Sequence, residues 1–266
     1  MALSSTIWSK TKQQFLVLSV LVSTLLPQVA GAASWWQPPV NATWHIQYSG
    51  KLDLKNPASI YNIDLFDTPT ATINTLHAKG KRVICYLSAG SYENWRPDKN
   101  QFPSSVLGKN LDGWPGERWL DIRSAAVRSI MAARMDLAVT KGCDGVEPDN
   151  VDGYTQDSGF LLTANDQLDY NRFLADAAHA RNLGIGLKND LEQVPALVSS
   201  FDWALNESCM VYKECHLATP FILAGKPVFH IEYSGTKSKL CKATTPLGFR
   251  SILKRSALTA WEQHCW

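Results

Sequence analysis

Asp144-Gly145-Val146-Glu147-Pro148-Asp149-Asn150 sets two acids, Glu147 and Asp149, just after the short apolar step Gly145-Val146. Glu147 and Asp149 are two residues apart, so on a strand both side chains leave the same face. Similar short apolar or alternating runs recur on either side. Trp44 to Tyr48, Ile60 to Phe66, Arg82 to Leu87, Ile185 to Asn189, Phe201 to Glu207 and Pro227 to Tyr233 read as strands, with a weaker eighth near Leu258. Helical patterns lie between them at Thr70 to Lys79, Ser124 to Thr140, Asn165 to Asn182, Val194 to Ser200 and Pro246 to Arg255. Lys79-Gly80 and Asn182-Leu183-Gly184 are helix stop signals. Strand and helix alternate almost to the end, which predicts a single-domain α/β fold, a TIM-type (β/α)8 barrel with its site at the C-terminal ends of the strands. The competing doubly wound sheet is disfavoured as a nucleotide binder, because no Gly-rich phosphate loop follows the first strand.

The chain has 266 residues. Lys10 and Lys12 precede an apolar run from Phe15 to Leu26 and small residues through Ala32, the pattern of a signal peptide over residues 1–32. The expected barrel domain is then 33–266, in a secreted protein with no membrane span in its mature form. A net charge of +2 gives no reason to expect nucleic acid. Six cysteines in an exported chain point to disulfides. Cys209–Cys215 and Cys241–Cys265 are the favoured pairs, with Cys85 and Cys143 either buried thiols or a third bridge. Asn41 and Asn206 both stand in glycan acceptor motifs, and Asn41 is preferred because Asn206 falls near a predicted strand end. The segment from Ser88 to Ile122 is long, has little helical period and carries Trp95, Trp114 and Trp119, as functional loops on barrels do.

Polar residues at strand ends carry the functional reading. His45, Gln47, Asp64, Asp67, Glu147, Asp149, Lys188, Asn189, Glu207, His230 and Glu232 all lie on or just after predicted strands. A lone acid there commonly caps a helix. Several together, unpaired, would be costly to bury, so they need partners or a use. With Trp36, Tyr86, Tyr92, Trp95, Trp114, Trp119 and Tyr154 nearby, the pattern suits carbohydrate, whose rings stack on aromatic faces and whose hydroxyls and amines meet acids.

The segment Asp144 to Asp152, preceded by Val83-Ile84-Cys85-Tyr86-Leu87-Ser88-Ala89-Gly90-Ser91 and Glu117-Arg118-Trp119-Leu120-Asp121-Ile122, and followed by Gly186-Leu187-Lys188-Asn189 and Asn206-Glu207, resembles glycoside hydrolase family 114. The similarity covers nearly the whole mature chain. This family comprises endo-α-1,4-polygalactosaminidases and spherulin-4-like proteins on a (β/α)8 fold. The resemblance implies hydrolysis of internal α-1,4 linkages in galactosamine-containing polysaccharide, with the two essential acids at Asp149 and Glu207. The expected mechanism is retaining, Asp149 acting as nucleophile and Glu207 as acid/base, because Trp203 and Leu205 in its apolar strand favour desolvation of Glu207. Asp64, Tyr86, Trp119, Glu147, Asn150, Asp152, Lys188 and Glu232 are expected to bind substrate, a cationic galactosamine-rich polymer. A monomer without cofactor is expected. Two rival readings are a carbohydrate-binding barrel without activity, and a metal-dependent phosphodiesterase using His45, Glu147, Asp149 and Glu232.

Overall fold

A computed structural model describes residues 1–2 and 34–266. The leader expected over residues 1–32 falls, apart from its first two residues, outside the described residues. Eight parallel strands follow in chain order: Trp44–Gln47, Ile60–Asp64, Arg82–Ser88, Gly145–Asp149, Gly184–Lys188, Trp203–Glu207, Val228–Glu232 and Arg250–Lys254. They are called the first to eighth barrel strands below. A ninth, Glu262–His264, pairs antiparallel with the eighth. The nine form one curled sheet in chain order, a TIM-type α/β barrel. Its ends meet through side chains: Trp44 Nε1 donates to Arg250 O at 2.8 Å, Arg250 Nε to Ala42 O at 2.9 Å, and Glu262 meets His45 Nδ1 at 2.8 Å.

The helices start and stop where local chemistry directs. Ser124 caps Ala125–Lys141 by accepting from Ala126 N, and Gly142 ends it in the left-handed region at φ 86°. Thr163 and Asp166 form a capping box at the start of Ala164–His179. Of the two stop signals, Gly80 takes the left-handed turn as expected, at φ 71°. In the second, Asn182 turns the chain at φ 57° while Gly184 already begins the fifth strand.

Period-2 alternation sorts the strand residues into two layers. Val83, Cys85, Leu87, Val146, Ile185 and Leu187 face outward and pack with the helices, whereas Trp44, Ile46, Ile84, Trp203, Leu205, Phe229, Ile231 and Ile252 fill the barrel interior. Trp203 lies so close to the fifth strand that a Cβ on Gly186 would sit 2.1 Å from its indole nitrogen. Three disulfides join Cys85 to Cys143, Cys209 to Cys215 and Cys241 to Cys265.

The last barrel unit differs from expectation. Pro246 to Arg255 is not a helix: the helix is Lys237–Thr244, and the eighth strand is Arg250–Lys254, ahead of Leu258. Phe249, Ile252 and Leu253 are spaced at i, i+3 and i+4, which imitates a helix face. Pairing with the seventh strand overrides that pattern. The long segment after the third strand is also more ordered than a loop. Ser91–Glu93, Glu117–Leu120 and Leu107–Asn110 make a small antiparallel sheet with Glu117–Leu120 in the middle.

Candidate active site

A cleft of about 990 Å³ opens at the C-terminal ends of the strands. The small sheet supplies Lys109, Asn110, Glu117 and Trp119 to its wall, with exposed Trp95 and Trp114. At its floor Lys188 Nζ lies 3.0 Å from Asp149 Oδ1, 3.6 Å from Glu147 Oε1 and 3.6 Å from Glu207 Oε2. The fourth, fifth and sixth strands thus bring three carboxylates to one ammonium. Burial alone would lower the lysine pKa, but Asp149, Glu207 and Glu147 hold it well above its ordinary value.

Each member of this group is held differently. Asp149 accepts from Lys188, from Tyr86 OH at 3.2 Å and from Asn150 N at 2.8 Å. Glu207 accepts from Tyr233 OH, and Asn189 Oδ1 accepts from the Glu207 backbone N–H at 3.0 Å. Glu147 has no solvent exposure and takes a hydrogen bond from Asn62 Nδ2. Burial raises its pKa to about 7; Lys188 opposes the shift and Asp149 adds to it. Asp152 is raised to about 6, by burial first and by Asp149 second.

The backbone is strained at these tips. Asn150, Asn189 and Ser208, which follow Asp149, Lys188 and Glu207 directly, have φ of 61°, 49° and 65°. Ala89 N and Gly90 N both donate to Asp149 O, at 2.9 and 3.1 Å. A Cβ on Gly90 would lie 1.6 Å from Asn150 O, so this close approach requires glycine.

Residues 26–266 match the model of glycoside-hydrolase family GH114. The chain belongs to this family. It is therefore a glycoside hydrolase. The structure of Aspergillus fumigatus Ega3 in complex with galactosamine is 47% identical in sequence, with a TM-score of 0.83 over 86% of this chain and 97% of that one. The glycoside hydrolase domain of PelA from Pseudomonas aeruginosa shares the fold at 14% identity and TM-score 0.67, over 83% and 97% of the two chains. An uncharacterised protein of Deinococcus radiodurans is 26% identical over 82% of this chain and 86% of its own length.

Within the GH114 barrel, the expected site residues separate by strand face. Tyr86, Trp119, Asp149, Asn150, Asp152, Lys188 and Glu207 all line the cleft, and Glu147 lies against Lys188 beneath it. Asp64 also lines it but is bound by Arg96 through two hydrogen bonds of 3.0 and 2.7 Å. Glu232 does not reach the cleft. It accepts from Met210 N at 2.8 Å and meets His230 Nε2 at 3.1 Å, on the strand face opposite Phe229, Ile231 and Tyr233. His45 is likewise opposite Trp44 and Ile46, so His45 and Glu232 do not assemble with Glu147 and Asp149 as the phosphodiesterase reading requires. Glu207 is not the more desolvated acid: its side chain is 26% exposed against 19% for Asp149. Tyr48, Asn62 and Tyr233 went unselected from sequence although their strand parity matches that of the interior residues. Asn206 is buried within the sixth strand, which excludes it as a glycan acceptor, whereas Asn41 is exposed.

Proposed function

We propose that this protein is a secreted, endo-acting hydrolase of α-1,4-linked galactosamine-containing polysaccharide, with Asp149 as nucleophile and Glu207 as acid/base in a retaining mechanism. The observation that carries this reading is the convergence of Asp149 and Glu207 on Lys188 at the floor of an open cleft. Asp149 Oδ1 and Glu207 Oε2 lie 3.0 and 3.6 Å from that one ammonium, a convergence that accommodates the carboxylate spacing of about 5–5.5 Å used by retaining enzymes. Similarity to Ega3, whose structure contains galactosamine, supports the substrate class. So does the preponderance of acids over cations along the cleft, since an amino sugar that is not acetylated is cationic.

In the first step an oxygen of Asp149 bonds to the anomeric carbon as the glycosidic bond breaks, and Glu207 gives its proton to the departing oxygen. In the second, Glu207 takes a proton from water, the hydroxyl adds to the anomeric carbon, and the bond to Asp149 breaks. Three hydrogen bonds orient Asp149 for attack, while Glu207 keeps a face toward solvent for proton exchange. The proposed mature unit is the barrel of residues 33–266 acting as a monomer, with Asn41 available for glycosylation. Product analysis on partially deacetylated galactosaminogalactan tests the reading. Wild type should release oligosaccharides and Asp149→Asn should not; no release by wild type overturns the substrate assignment.

A further inference from the structure

The rim of the barrel is held in two halves. The third and fourth strands pair continuously from Ile84 with Gly145 to Ser88 with Asp149, and two more amides beyond that ladder bond Asp149 O. The fifth and sixth strands pair through Lys188 with Leu205, after which Asn189 N donates to Leu205 O at 2.9 Å. Between these halves the register stops early. The fourth and fifth strands pair only at Gly145 with Gly184 and Val146 with Ile185, and Pro148 has no N–H with which to extend the ladder. Asp149 therefore stands on one half, with Lys188 and Glu207 on the other.

A single buried amide spans the gap above the ladder. Asn171, on the helix Ala164–His179, donates from Nδ2 to Val151 O at 3.0 Å and to Asp190 Oδ2 at 2.8 Å. Val151 is two residues beyond Asp149, and Asp190 two beyond Lys188. Gln167 Nε2 donates to Asn171 Oδ1 at 2.9 Å and fixes the orientation of the amide. The preceding residue ties the same helix to the first half, Tyr170 OH donating to Ala89 O at 2.7 Å. Below it Lys188 itself crosses the gap, donating to Asp149 Oδ1 at 3.0 Å, and between the turns one further side-chain bond, from Tyr154 OH to Glu192 at 3.2 Å, is exposed to solvent, whereas Asn171 has no exposure.

We infer that Asn171 is a positioning residue that sets the separation of the half-rim bearing Asp149 from the half-rim bearing Lys188 and Glu207. It touches none of the reacting groups. Its two donors replace the missing strand ladder, and the distance they hold is the one across which the two acids face each other. A shift of about 1 Å in such a site can cost roughly 10²-fold in rate.

Asn171→Asp keeps the volume and removes both donors, and Asn171→Leu removes them without adding charge. Either variant, assayed well below its melting temperature, should lose about 10- to 100-fold in kcat, with KM changed less than about threefold. Crystal structures of the variants should show the Lys188 Nζ to Asp149 Oδ1 contact lengthened beyond its present 3.0 Å. Should Asn171→Leu fail to fold, Asn171→Asp carries both readouts. Unchanged kcat with a lowered melting temperature would overturn the inference, as would lost activity with that contact still at 3.0 Å. The assay rests on the proposed substrate. If wild type does not cleave it, that assignment fails on its own and the crystallographic distance still decides the role of Asn171.

Discussion

Two buried cations each gather three carboxylates in this barrel, and they do different things with them. Arg96 binds Asp64 bidentately, contacts Glu93 at 2.8 Å and reaches Asp67 at 3.6 Å. Lys188 has one contact at 3.0 Å and two at 3.6 Å. A guanidinium is a planar fork that saturates carboxylate lone pairs in fixed directions, whereas an ammonium is a compact charge shared among several acids. The Arg96 cluster is accordingly an ion-pair lock that anchors the small sheet to the second strand. The Lys188 cluster leaves carboxylate edges facing the cleft. Equal charge counts thus give a fastening in one place and, in the proposed mechanism, the reacting acids in the other, and the difference follows the cation's geometry.

The largest effects should come from the Lys188 side. Asp149→Asn and Glu207→Gln should each lower kcat by at least about 10³-fold while leaving the melting temperature close to wild type. Their roles separate with azide and an activated aryl α-galactosaminide. β-Glycosyl azide is expected from Asp149→Gly and α-glycosyl azide from Glu207→Ala, and the reverse pattern would exchange the assignments.

Swapping the cations tests the comparison directly. Lys188→Arg should cost about 10²-fold in kcat, because a fork cannot share itself among three acids without moving them. Arg96→Lys should instead lower unfolding free energy, by about 3 kcal/mol in denaturant titration, with kcat within severalfold. If both variants lost activity alone, or stability alone, the division between lock and reactive group would fail.

A smaller effect is the pH dependence of stability. Glu147 and Glu117 are raised to about 7, Asp152 to about 6 and Asp190 to about 8, in each case chiefly by burial. Unfolded carboxyls ionise near pH 4, so between about pH 4 and 8 the folded chain binds more protons than the unfolded one, and stability falls as pH rises through that window. Melting temperature should therefore be higher at pH 5 than at pH 8, and Glu147→Gln should flatten the decline. A melting temperature that climbs from pH 5 to 8 contradicts this. The smallest expected effect is ionic: KM for deacetylated polymer should rise a fewfold between about 0.05 and 0.5 M salt, as screening weakens the attraction of the acidic cleft.

Much of the fold was legible because strand periodicity is local. Seven barrel strands lie within two residues of the spans read from sequence; the exception is the eighth, where Phe249, Ile252 and Leu253 suit a helix equally well. The site was less legible because parity says which residues share a face but not which face is interior. Glu147 and Asp149 could be linked from spacing alone, and so could His230 and Glu232. Only the second pair points outward.

From the sequence alone came the alternation of strands and helices and the cysteine pairs Cys209–Cys215 and Cys241–Cys265, which depend on periodicity, spacing and residue type, properties of short stretches. The pairing of Asp149 with Glu207 at strand tips came from the family resemblance, not from any local pattern. The tertiary structure alone decided that Lys188 is shared among three acids while Asp64 is taken by Arg96, that Tyr233 attends Glu207, and that Asn171 bridges a gap in the sheet. Each of these is a contact between residues far apart in the chain. Closure of the barrel brings them together, and no local pattern encodes which distant partner a buried charge will meet.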